Sequence, residues 1–133
     1  MAEQRIGVGV MARDVAGVLA NIEEAERLGI HAAWLTAGGI GQDPLMIYAA
    51  AASRTRNILM GTSIVQLWPR HPIALAQAAR TLADLAPGRF RLGVGPSHEA
   101  GMEATYGVEF HQPLGHLREY LREIGRASCR ERV

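Results

Sequence analysis

Residues 58–95, ILMGTSIVQLWPRHPIALAQAARTLADLAPGRFRLGVG, contain one complete structural repeat and the start of the next. Ile58–Val65 is an apolar run rich in β-branched residues and reads as a buried strand. Pro72 suits the first position of a helix, Ile73–Leu85 carries the helical period, and Pro87-Gly88 stops it. A new apolar run, RFRLGVG, then starts at Arg89. Outward from this repeat, similar runs begin at Arg5 (RIGVGVM) and His31 (HAAWLT), so that the four starts are 26, 27 and 31 residues apart. A helix from Val15 to Leu28 is predicted between the first two, with Asp14 as N-cap, Val15, Val18, Leu19, Ile22 and Ala25 as its apolar stripe, and Gly29 closing it. Asp43-Pro44 opens another through Ala52 that ends near Asn57, and Pro113 opens a fourth over Leu114–Glu123.

Near-continuous apolar strands alternating with helices predict an α/β fold with a parallel sheet covered by helices. About 30 residues per unit, taken eight times, gives the roughly 250 residues of a (β/α)8 TIM barrel, of which four units are the N-terminal half. A complete four- or five-stranded doubly wound sheet fits the same periodicity.

The 133 residues are 48% hydrophobic and 20% charged with a formal charge of +1, which excludes a disordered tail, a disulfide scaffold and a nucleic-acid arm. All 14 basic residues are Arg, and Arg126, Arg130 and Arg132 fall in the last eight positions with the single cysteine, Cys129. Residues 124–133, IGRASCRERV, resemble one reading frame of a short-read sequencing adapter. The expected organisation is therefore a partial barrel over 1–123 followed by a non-native tail over 124–133. No apolar run approaches the ~20 residues of a membrane span, and the predicted location is cytoplasmic.

Gly7-Val8-Gly9-Val10-Met11-Ala12 fits a loose dinucleotide pattern, but the helix opens two residues late and no acid ends the next strand, so close packing of glycine in a barrel strand is the better reading. Gly93-Val94-Gly95-Pro96-Ser97-His98 is more informative: small residues at a strand end let a planar ligand approach the backbone, and the imidazole of His98 can donate or accept a proton. Ser97 as a helix cap and His98 as a solvated side chain fit the same spacing. Trp68 and His71 read as loop packing and a helix cap, and Trp34 as core. No Cys or His pair has metal-ligand spacing, and no Ser sits in a G-x-S-x-G elbow.

The segments AERLGIHAAWLT, residues 43–98 from DPLMIY to GVGPSH, and YGVEFHQPLGHLREYL together resemble the luciferase-like monooxygenase family of flavin- and deazaflavin-dependent (β/α)8 enzymes. They cover nearly all of residues 5–123. Within that family the chain is most similar to the branch using the deazaflavin coenzyme F-420, with FMN as the alternative cofactor. The resemblance implies hydride transfer between reduced F-420 and a small organic substrate. The alternatives are an FMN monooxygenase that uses dioxygen and is served by a separate flavin reductase, and a non-catalytic cofactor-binding paralogue. It also implies a cis peptide at Ser63-Ile64 beneath the flavin ring, Gly95, Pro96 and Ser97 along the ring's polar edge, Thr36 as a hydrogen-bond partner of the ring, and His98 as proton donor. Many relatives place a catalytic His just beyond strand two, where this chain has Thr36-Ala37-Gly38-Gly39. A homodimer is the implied state of a full-length protein. Open edges at strands one and four make the half-barrel by itself an expected inactive species, weak in stability and in cofactor binding.

Overall fold

The computed structural model describes residues 5–129. Six short strands and five helices alternate along them: β1 (Gly7–Gly9), α1 (Val15–Arg27), β2 (Ala32–Leu35), α2 (Pro44–Ala52), β3 (Leu59–Thr62), β4 (Val65–Gln66), α3 (Pro72–Leu85), β5 (Phe90–Arg91), β6 (Val94–Gly95), α4 (Glu99–Tyr106) and α5 (Pro113–Cys129). The helix ends follow from local chemistry. Asp14 accepts from the Gly17 amide at 2.7 Å and starts α1. At its other end Gly29, at φ 75°, turns the chain so that its own amide bonds Glu26 and the Ile30 amide bonds the Ala25 carbonyl. Asp43 caps α2 ahead of Pro44, and His71 caps α3 ahead of Pro72 by accepting the Ile73 amide on Nδ1.

β1, β2, β3 and β5 form one parallel sheet in that order, and β4 pairs with β6 in a second, two-stranded parallel ladder. The register places Val8, Ala33, Met60 and Phe90 in one row. That row joins Ile22, Leu45, Tyr48, Leu75 and Leu82 from the helices in the core. Tyr48 of α2 sits between the layers, its hydroxyl 2.8 Å from the Ala33 carbonyl and 2.7 Å from that of Gly61, so one phenol spans two neighbouring strands.

The opposite face of the sheet carries Gly9, Trp34, Gly61 and Arg91 in one row. Trp34 is half-buried on that face, away from the helix-covered core, because the strand alternation points it away from Ala33 and Leu35. Its ring needs bare neighbours: a Cβ at Gly61 would stand 2.2 Å from the indole, and one at Gly7 2.6 Å.

Two of the four expected strands are each split in two. The peptide Ser63-Ile64 is cis, and β3 gives way there to β4. Up to this point the chain follows β2, with the Ser63 amide bonded to the Leu35 carbonyl at 2.8 Å; beyond it Val65 and Leu67 donate to Gly93 and Gly95 instead. Thr62, 1% exposed, bridges the change of partner. Its hydroxyl donates to the Gly93 carbonyl at 2.9 Å and accepts the Gly93 amide at 2.8 Å. A Cβ at residue 93 would lie 2.0 Å from the Thr62 carbonyl oxygen, so only glycine fits this crossing.

Helix α4 stands where the cap reading of Ser97 implies a helix, although EAGMEATY buries only Met102 and offers no apolar stripe from which to draw its bounds. Helix α5 continues to Cys129, past the Glu123 end predicted for it. It packs on α3 through Leu117, Tyr120 and Ile124.

The N-terminal ends of the strands are stitched by charge. Glu26 of α1 accepts the amides of Arg56, Asn57 and Ile58 at 2.7–3.0 Å, and the Arg89 guanidinium donates to the Ala52, Thr55 and Ile58 carbonyls of the same loop at 3.2–3.3 Å. Burial opposes ionisation of Glu26, but the three amides, with Arg89 behind them, outweigh it and hold the carboxyl below its usual value of 4.5. A carboxylate lowered in this way stabilises the fold above its unfolded value, and that contribution disappears as pH falls through the folded one. Urea melts should therefore show Glu26→Gln costing about 1 kcal/mol at pH 7, the low end for a charge-assisted bond because the group is partly exposed, and losing the wild-type slope below pH ~4.5. Thr62→Val, which strips the Gly93 amide of its acceptor, should cost about 1–2 kcal/mol by the same assay, with Thr62→Ser recovering most of it.

Candidate functional site

The C-terminal strand ends carry the polar residues of interest. Thr36, one residue past β2, donates its hydroxyl proton to the Ser63 carbonyl at 2.8 Å and lies 3.4 Å from Ser63 Oγ. The Ala37 amide bonds the Ile64 carbonyl at 3.1 Å, so the end of β2 grips both residues of the cis peptide. Ile64 in turn lies against Gly95: a Cβ there would come within 3.0 Å of Ile64 Cδ1. Pro96 accepts the Trp68 indole N–H at 2.8 Å. Thr36, Ser63, Ile64, Gly95 and Pro96 thus form one contiguous surface.

Ser97 and His98 follow directly. Ser97 adopts φ 61°, a left-handed conformation uncommon outside glycine and a recurrent feature of functional turns. His98 occupies the cap position of α4, where its carbonyl accepts the Met102 amide, but its side chain makes no capping bond. The cap reading therefore passes from Ser97 to His98 in position only, and the imidazole stands exposed.

The loop from Leu67 to His71 is held from several sides. The Trp68 ring stacks on His116 with centroids 4.4 Å apart and meets Phe110 at 4.8 Å. Tyr120 of α5 donates to the Arg70 carbonyl at 2.6 Å, and Arg70 pairs with Asp43, whose other oxygen caps α2. Burial pushes the Tyr120 phenol up to about 12, with the Arg70 charge pulling the other way. The bond to Arg70 needs the phenolic proton, so it persists below the ordinary value of 10 and is lost as pH rises through about 12. Spectrophotometric titration should find a phenol ionising there, and Tyr120→Phe should delete that step.

Two clefts open on this face. One, of about 320 Å³, has mainly apolar walls that include Gly9, Val10, Met11, Trp34, Leu35 and Thr36. The other, of about 280 Å³, lies between the loops that follow β2 and β4 and is lined by Gly38, Gly39, Gln42, Gln66, Arg70 and Tyr106, among others. Of these six, the sequence marked Gly38 and Gly39 only as a departure from the family pattern, and none was assigned a binding role. The one visible signal was Gln66, a polar residue inside an apolar strand run.

Parallel βα units with glycine-shelved strand ends and a cis peptide at Ser63-Ile64 are found in a chain that matches the luciferase-like monooxygenases over residues 1–133, and the protein belongs to that family. It is 40% identical over 96 residues to a Mycobacterium tuberculosis protein provisionally described as a coenzyme F-420-dependent oxidoreductase, covering 72% of this chain and 28% of that one. It is 45% identical over 76 residues to the F-420-dependent glucose-6-phosphate dehydrogenase of Beutenbergia cavernae, covering 56% of this chain and 22% of the relative. The chain thus spans under a third of the length of either. Among solved structures, the coenzyme F-420-dependent tetrahydromethanopterin reductase of Methanopyrus kandleri superposes with a TM-score of 0.78 at 24% identity, over 90% of this chain and 39% of that one. The fold is accordingly a partial (β/α)8 barrel.

Proposed function

We propose that these residues form part of the cofactor-binding end of a deazaflavin-dependent oxidoreductase that moves a hydride between coenzyme F-420 and a small organic substrate. The observation that carries the reading is the contiguous group of Thr36, Ser63, Ile64, Gly95 and Pro96, in which the exposed hydroxyls of Thr36 and Ser63 flank Ile64, itself packed on Gly95. The donor set fits a planar ring with a polar edge. Thr36 has spent its proton on Ser63 and is left as an acceptor, so it suits a ring N–H; Ser97 keeps an uncommitted hydroxyl. When bound, the deazaflavin supplies or accepts the hydride. This chain's residues hold the ring, and His98, exposed at the end of β6, moves the accompanying proton. The similarity to F-420-dependent relatives supports the choice of coenzyme.

The absence of a titratable side chain at Thr36-Ala37-Gly38-Gly39 favours a second reading, an FMN monooxygenase of the same fold, because oxygen insertion needs no base there. Titration of the two cofactors into the complete protein separates the two. For the leading reading, His98→Ala should lower hydride-transfer turnover by about 10²–10⁴-fold with F-420 affinity unchanged. Unchanged turnover would remove His98 from the mechanism and favour a paralogue without catalysis.

A further inference from the structure

The cleft between the loops after β2 and β4 contains none of the residues assigned to the cofactor, and two of its side chains, Gln66 and Arg70, carry N–H donors without partners among the described residues. Gln66 stands on β4 opposite Gly95 and is 5% exposed, yet its side-chain amide has no hydrogen-bond partner among the described residues. A buried amide without a partner is costly unless it reaches open space. Among the described residues no fully enclosed side-chain N or O is left unpaired, so the Gln66 amide is not sealed off, and the residue lines this cleft.

Arg70 adds donors to the same wall. One guanidinium nitrogen holds Asp43, and none of the other guanidinium N–H groups has a partner among the described residues. Four acceptors around the cleft are already used: Asp43 Oδ1 takes the Leu45 amide and its other oxygen takes Arg70; the Gly38 carbonyl takes the Gly41 amide, and that of Gly39 takes the Tyr106 hydroxyl at 3.0 Å. A volume of about 280 Å³ is just below the ~300–1,000 Å³ of pockets for drug-sized ligands, so the occupant is small.

We propose that this cleft binds a small carboxylate, with the Gln66 amide and the unengaged N–H groups of Arg70 as donors and Asp43 fixing the guanidinium. A guanidinium and a primary amide that line one cleft can each donate to an oxygen of one carboxylate. The assignment does not rest on the identity of the cofactor.

The test follows the Gln66 side-chain amide resonances of the ¹⁵N-labelled 133-residue chain during titration with sodium propionate, against propionamide at matched ionic strength. The expected result is a saturable shift with a midpoint in the millimolar range for propionate and at least tenfold weaker binding of the amide. Gln66→Met should lose at least tenfold in propionate affinity, read from neighbouring backbone amides. Gln66→Glu, isosteric and of like charge to the ligand, should lose as much with an unchanged circular dichroism spectrum. A non-saturating response, an equal response to propionamide, or wild-type affinity in either variant overturns the proposal. No cofactor is present, so failure of F-420 binding leaves this result standing, and the reverse holds too.

Discussion

The contact between Gly93 and the Thr62 carbonyl governs the architecture. The two backbones approach so closely there that a single added carbon has no room, and the Thr62 hydroxyl replaces on both sides the ladder bonds that the crossing interrupts. Because of this crossing the third strand leaves β2 and joins β6, carrying Ile64 over Gly95 and turning Gln66 toward the cleft wall. The cis peptide, the glycine shelf and the amide-lined cleft lie within a few residues of this point. A packing constraint of one atom's width thus separates the structural part of the sheet from the part that carries the proposed ligand sites.

Helix ends were legible where the signal is local. Asp14, Asp43-Pro44 and Pro72 act on their own backbone within one turn, and the structure places a helix at each. The bounds of helix α4 have no such signature, because its one buried residue, Met102, defines no face. Trp34 shows the limit of composition: an aromatic residue in an apolar run reads as core, but its face depends on alternation and on which side the helices pack. The cis peptide was anticipated through family resemblance alone, as nothing in Ser63 or Ile64 marks it. The partnerless amide of Gln66 is a tertiary fact, since the strand pattern places the residue without saying what stands opposite its side chain.

The two ends of the sheet are held differently. At the N-terminal end, charges meet backbone: Glu26 collects amides and Arg89 donates to carbonyls. At the C-terminal end side chains meet one another, through the Trp68–His116 stack and the Asp43–Arg70 pair, with Tyr120 behind them. The second kind of contact can be exchanged residue by residue without disturbing a strand. This suits a family whose members share a fold and differ in what they bind.

The α2–β3 loop deserves a last consideration as a joint between modules. All its critical amides are served by a residue from the first βα unit and its carbonyls by one from the start of the fourth, so the units are fastened across their neighbours as well as to them. A repeat that grew by duplication is easiest to cut where its copies touch only end to end. Here such a cut would sever both fastenings at once. Circular permutants opened at residues 53–58 are consequently poor candidates, and new termini belong in the loops at the opposite end, such as 38–42, which the Tyr106–Gly39 hydrogen bond ties to another unit in place of a set of backbone amides and carbonyls.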